Sequence, residues 1–118
     1  MIELALAAAA LAPAYLARTE ENRRLTITVR NHRVTRVRGT IADYECDDFG
    51  DIGPMRFDVK VKARINKRNN RFSFVHGDRA QRVGVAGYVK RYGAHGRIRM
   101  AGTIATGQRC ESGVLRWR

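Results

Sequence analysis

Along residues 24–30 (RLTITVR) apolar and polar positions alternate without a break. Leu25, Ile27 and Val29 share one face, and Thr26, Thr28 and Arg30 the other, which is the period of two of a half-buried strand. Asn31-His32 then makes a tight connection, since Asn tolerates positive φ and suits a two-residue hairpin. The second strand, 33–44, slips in parity. Val34 falls on one face, and Val37, Gly39 and Ile41 fall on the other. A single β-bulge near Thr35-Arg36 restores the phase and helps a sheet to curl.

Residues 55–65 (MRFDVKVKARI) give the clearest strand in the chain. Met55, Phe57, Val59, Val61, Ala63 and Ile65 point in, and Arg56, Asp58, Lys60, Lys62 and Arg64 point out. After the turn 66–70, Phe72 and Phe74 mark a return strand. Val83, Val85, Gly87 and Val89 mark the next. A glycine-rich turn is expected at 92–96, then a strand carrying Ile98, Met100, Gly102 and Ile104. A polar loop at 106–113 holds Cys110, and Leu115 and Trp117 face inward in the last strand. Strands recur with turn signals between them, and no helical period appears, so the expectation is an all-β antiparallel meander. Gly39, Gly87 and Gly102 each stand in an apolar-x-Gly-x-apolar frame with the glycine inward. Such glycines leave room for a large neighbour or let a strand bend. They predict a strongly coiled sheet, a small closed or nearly closed barrel of about seven or eight strands.

The first fourteen residues, MIELALAAAALAPA, differ from the rest. A short apolar run ends in Ala12-Pro13-Ala14, small residues at the −3 and −1 positions that signal peptidase accepts. Residues 1–14 therefore read as a signal peptide, although Glu3 stands where a basic residue is usual. The apolar run is shorter than the roughly 20 residues of a membrane span. Residues 15–23 read as a flexible N-terminal arm or a first short strand, and 24–118 as one domain. The expected location is secreted or periplasmic.

Cys46 and Cys110 are the only cysteines. In an exported chain two cysteines are by default a disulfide. The formal charge is +12, which predicts attraction to polyanions. The excess is arginine-rich, a bias that tolerant surface positions also acquire without any ligand. The outward side chains Arg56, Lys60, Lys62 and Arg64 line one strand. Arg97 and Arg99 line another, and Arg36 and Arg38 a third. Merged across neighbouring strands they form a stripe for an anionic polysaccharide, a cell-wall polymer or a nucleic acid bound without sequence preference. Sequence-specific reading of a nucleic acid wants exposed aromatics between the charges, and Tyr44, Tyr88 and Tyr92 are the only candidates.

Catalytic chemistry finds little footing. No nucleophile elbow, zincin helix or phosphate loop occurs. His32, His76 and His95 fall in separate turns or strand ends without metal-ligand spacing. Asp43, Glu45, Asp47, Asp48 and Asp51 are oxygen donors for calcium in principle, but they lack the EF-hand pattern; as acids of a loop they also simply pair with arginines. The reading is a monomeric, non-enzymatic domain with no metal or cofactor. The alternatives are a lipocalin-like carrier of a small apolar ligand, lined by Phe57, Val59, Phe72, Phe74, Val85, Met100 and Trp117, and an exported inhibitor acting through 47–54 or 92–96.

The closing Cys110-x-Ser112-Gly113-x-x-x-Trp117, with a second cysteine mid-chain, resembles a group of small exported proteins of GC-rich soil bacteria. That resemblance implies export, an all-β fold and a Cys46–Cys110 bond. It implies no catalytic or binding residue.

Overall fold

The computed structural model describes residues 11–118, so most of the expected signal peptide lies outside the described residues. The chain is all-β: β1 (Ala14–Arg18), β2 (Arg24–Arg30), β3 (Arg33–Ile41), β4 (Glu45–Cys46), β5 (Gly50–Asp51), β6 (Met55–Arg64), β7 (Arg71–Gly77), β8 (Arg82–Lys90), β9 (Gly93–Thr103), β10 (Arg109–Glu111) and β11 (Leu115–Trp117). Every pairing is antiparallel. One sheet has the order β1-β2-β3-β6. The other runs β5-β4-β10-β9-β8-β7, with β11 also on β9.

Most of the expected inward side chains are buried, while Met55, Val61, Phe74 and Ile104 are half-buried and pack against the core. Leu25, Ile27, Val29, Val34, Val37, Ile41, Phe57, Val59, Ala63, Ile65, Phe72, Val83, Val85, Val89, Ile98, Met100, Leu115 and Trp117 join a single core. Asn31 and His32 take φ of 51° and 59°, so the β2–β3 hairpin turns through the left-handed geometry that matches strand twist. The bulge is also present. Thr28 pairs with Arg36 and Val29 with Val34, which leaves Thr35 as the extra residue.

Two sheets become nearly one wrapped surface through β1 and β11. Thr19 bridges to Trp117, Arg18 N–H donates to Arg118 C=O at 2.9 Å, and Glu20 N–H donates to Arg116 C=O at 2.8 Å. The ring of strands is not closed, however. β6 and β7 are each an edge strand of their own sheet and do not pair with each other. Between them, the carboxamides of Asn66 and Asn69 accept the N–H groups of Arg68 and Arg71, which turns the chain without starting a ladder. The β6 edge also carries Lys60, Lys62 and Arg64, and charge on an edge disfavours pairing.

Three short elements differ from the pattern reading. Of the two readings for 15–23, a flexible arm or a short strand, the strand β1 forms at its start, with Tyr15 and Ala17 buried and the Tyr15 hydroxyl donating to Lys90 C=O at 2.6 Å. Leu16 points outward, so the segment shows no readable alternation. Cys110 lies in β10 rather than in a loop, between β9 and β4. The bond to Cys46 crosses the β4–β10 ladder and spans 64 positions of chain. Finally, 93–96 is strand and not turn, because the reversal is confined to Arg91-Tyr92.

Inward glycines seat the large core side chains. Gly87 pairs with Gly96 across β8 and β9. A Cβ at either would stand 2.7 Å from Cζ2 of Trp117. At Gly39 a Cβ would stand 3.0 Å from Leu25 Cδ1 and 3.2 Å from Phe57 Cζ. At each of these glycines a backbone carbonyl stands closer still (Arg24, His95 and Ala86 C=O), and at Gly102 the neighbours are backbone alone, Ala80 C=O first.

Candidate polyanion-binding faces

The outward rows of β2, β3 and β6 make the first basic face. Register sets Arg33 opposite Arg64, Arg36 opposite Lys60, Arg38 opposite Asp58 and Thr40 opposite Arg56. With Arg24, Arg30 and Lys62 the three strands present nine cations and a single acid, Asp58. Strand spacing of about 4.8 Å and a two-residue step of about 7 Å hold neighbours within one Debye length at physiological salt. Arg36 grips Asp58 through Nε at 2.7 Å and through Nη2. These hydrogen bonds hold the Asp58 carboxyl below the usual carboxylate range and raise the Arg36 guanidinium.

Arg97 and Arg99 do not extend this stripe. They lie on β9, in the interior of the other sheet, whereas β6 is an edge of its own. Arg99 is also tied to Glu111 at 3.1 Å. Arg97 instead faces Arg116 across β9 and β11. It lines an open cleft of about 2050 Å³ that reaches round to Arg64. Thus of the six expected binding residues, Arg56, Lys60, Lys62 and Arg64 share one face, and Arg97 and Arg99 belong to another.

That second face carries rings. Arg71, Tyr88 and His95 are register partners on β7, β8 and β9. The Arg71 guanidinium lies 4.7 Å from the Tyr88 ring centre. Tyr88 and His95 stack at 5.0 Å and 24°. Tyr92 stands 88% exposed at the hairpin tip, with Arg91 over its ring at 5.0 Å. Tyr44, the third tyrosine expected between the charges, is buried, and desolvation raises its pKa. His95 and Arg71 were not readable as a unit, because only cross-strand register brings them together. Trp117 also lines the cleft, and its buried Nε1 has no hydrogen-bond partner among the described residues.

Within the acidic stretch, Asp51 serves its own turn. Asp51 accepts N–H groups from Gly53 at 2.8 Å and Tyr44 at 3.1 Å, and these bonds hold its pKa low. Asp43, hydrogen-bonded to Asp51 and repelled by it and by Glu21 and Glu45, is raised. Among the described residues no group of three or more His, Cys, Asp or Glu side chains is placed to hold a metal ion. No helix among them is long and apolar enough to cross a membrane. Comparison with protein-family models, with curated proteins and with solved structures finds no match to this chain.

Proposed function

We propose that this protein is an exported, non-enzymatic β-domain that binds anionic polymers through the outer face of β2, β3 and β6. The observation that carries the reading is the composition of that face, nine cations around one acid on adjacent strands. A polymer bound there releases counterions as each phosphate, sulfate or carboxylate meets a cation, so affinity comes from salt entropy and needs no sequence. The longest strand of the face, β6, has ten residues, a run of about 33 Å on which a chain-like ligand can lie. Export is supported by the small-residue cleavage pattern at Ala12-Pro13-Ala14 and fits the Cys46–Cys110 disulfide.

The carrier reading finds less support. Its lining residues Phe57, Val59, Phe72, Val85, Met100 and Trp117 are buried within the common core, and the Phe72 and Trp117 rings pack 6.3 Å apart. The test is retention on immobilised heparin. The mature protein should stay bound at physiological salt and elute above it. Elution at low salt would remove the polyanion reading.

A further inference from the structure

The ring-bearing face is more than a second patch of charge. Two outward rows cross it. One contains Ser73, Ala86, Arg97 and Arg116, and the other contains Arg71, Tyr88 and His95. Beside His95, β11 ends and pairs with the end of β1, which puts Arg118 next to Arg18. Aromatic cross-strand pairs do stabilise sheets. Here, though, the pair sits among cations, next to a floor of small exposed side chains, Ser73 and Ala86. Glu20 is the sole acid lining the cleft, and its carboxylate already accepts the Arg116 N–H at 2.8 Å.

The stack also has a direction. Arg71 covers Tyr88 from the β7 side, and His95 covers it from the β9 side, because the three residues lie in register order across the strands. His95 is exposed, and Tyr88 is its one stacking partner among the described residues. The side of His95 toward β11 is therefore the next place in the stack, with Arg97, Arg116 and Arg118 around it. A planar ring inserted there would continue a column whose existing steps are 4.7 and 5.0 Å. A phosphate on the same ligand would meet guanidinium groups.

We propose that this cleft is a binding site for single-stranded nucleic acid, with a base stacked on His95 and Tyr88 and the flanking phosphates held by Arg97, Arg116 and Arg118. The proposal rests on the polyanion reading and gives it a ligand class at a second face. Saccharide polyanions carry the charge but no flat π face. A duplex carries bases, but keeps them in its own stack. Among these polymers an unpaired strand alone supplies both groups at once, and base–aromatic stacking tolerates any base.

The test uses fluorescence anisotropy at fixed low salt. The probes are a labelled oligothymidylate of about 15 nucleotides and an abasic deoxyribose-phosphate chain with the same number of phosphates. The wild type should bind the oligothymidylate about tenfold or more tightly than the abasic chain. Tyr88→Ala with His95→Ala should erase that preference and leave abasic affinity intact. Tyr88→Phe with His95→Phe should keep it, which separates lost stacking from lost folding. Lys60→Glu with Lys62→Glu, on the other face and outside the cleft lining, should weaken the abasic chain more than the oligothymidylate and so widen the preference. Equal binding of the two probes by the wild type, or an unchanged ratio in the double alanine variant, would overturn the proposal and leave the polyanion reading standing. Failure of both probes to bind at all would remove both readings.

Discussion

The two basic faces have similar charge and opposite construction. On β2, β3 and β6 the strands alternate, interrupted once by the bulge at Thr35. Aliphatics and Phe57 fill the inside, and threonines, cations and Asp58 fill the outside. The result is charge without rings. On β7, β8, β9 and β11 the alternation is thinned by Gly84, Ala86, Gly87 and Gly96. The inside of that sheet seats Trp117 on paired glycines, and the outside gathers Arg71, Tyr88 and His95 into a stack. Regular alternation makes a uniform face that any polyanion fits. Small residues make room, and room lets a sheet hold a specific shape on each side.

The largest expected difference is within β6 itself. Val59→Asp should abolish folding, because an unpaired carboxylate forced into the core costs several kcal/mol, comparable with the whole stability of a small domain. Lys60→Glu, one position along and exposed, should leave the melting temperature nearly unchanged. Equal thermal melts for the two would break the assignment of faces. In the glycine-thinned sheet the contrast is Gly96→Ala against Gly84→Ala. At Gly96 the new methyl would press on Trp117 and on the Ala86 carbonyl, whereas at Gly84 the nearest atom is an ordinary 3.8 Å away. Overpacking of this kind costs about 1–3 kcal/mol. Chemical denaturation should show that loss at Gly96 and almost none at Gly84. A tolerant Gly96 would mean that Trp117 is not seated by the glycine pair.

A smaller effect concerns Asp58, the only acid on the uniform face. Its pKa is lowered by Arg36, so its contribution is complete above the unfolded carboxylate range, near pH 4. That contribution is lost as pH falls through the lowered value. Asp51 has the same sign, and the raised Asp43 the opposite one, its cost growing as pH rises through its own pKa. Asp58→Asn should therefore melt slightly below the wild type at pH 7, with the gap closing by about pH 2. A gap unchanged across that range would assign the loss to something other than the Arg36 ion pair. The pair is exposed, so the effect at pH 7 should be small.

How much of this was legible follows from the length over which each signal repeats. The long strands β2, β3, β6, β8 and β9 announce their faces because three or more side chains hold one phase, whereas the two-residue strands β4 and β5 show none. The Thr35 bulge is readable because Val34 and Val37 disagree on either side of it. β1 and β10 are not readable, since a three- to five-residue strand with an outward Leu16, or with Cys110 as its one buried residue, shows no period. The cations of β3 and β6 combine as alternation suggests. The assignment of Arg97 and Arg99 to the same stripe fails, because strand order and not residue spacing decides which faces meet. The Arg71–Tyr88–His95 stack is a product of register alone.

The most direct measurement compares salt dependence of heparin-fragment binding in three proteins: the wild type, a clustered triple variant (Lys60→Glu, Lys62→Glu, Arg64→Glu) and a scattered one (Arg23→Glu, Arg79→Glu, Arg109→Glu), all with exposed side chains at these positions. The slope of log affinity against log salt counts the cations engaged. A dedicated face on β2, β3 and β6 predicts a steep wild-type slope, a clearly flatter one for the clustered variant, and a scattered variant close to the wild type. Equal flattening in the two variants would show that net charge alone drives binding, and would contradict a dedicated face.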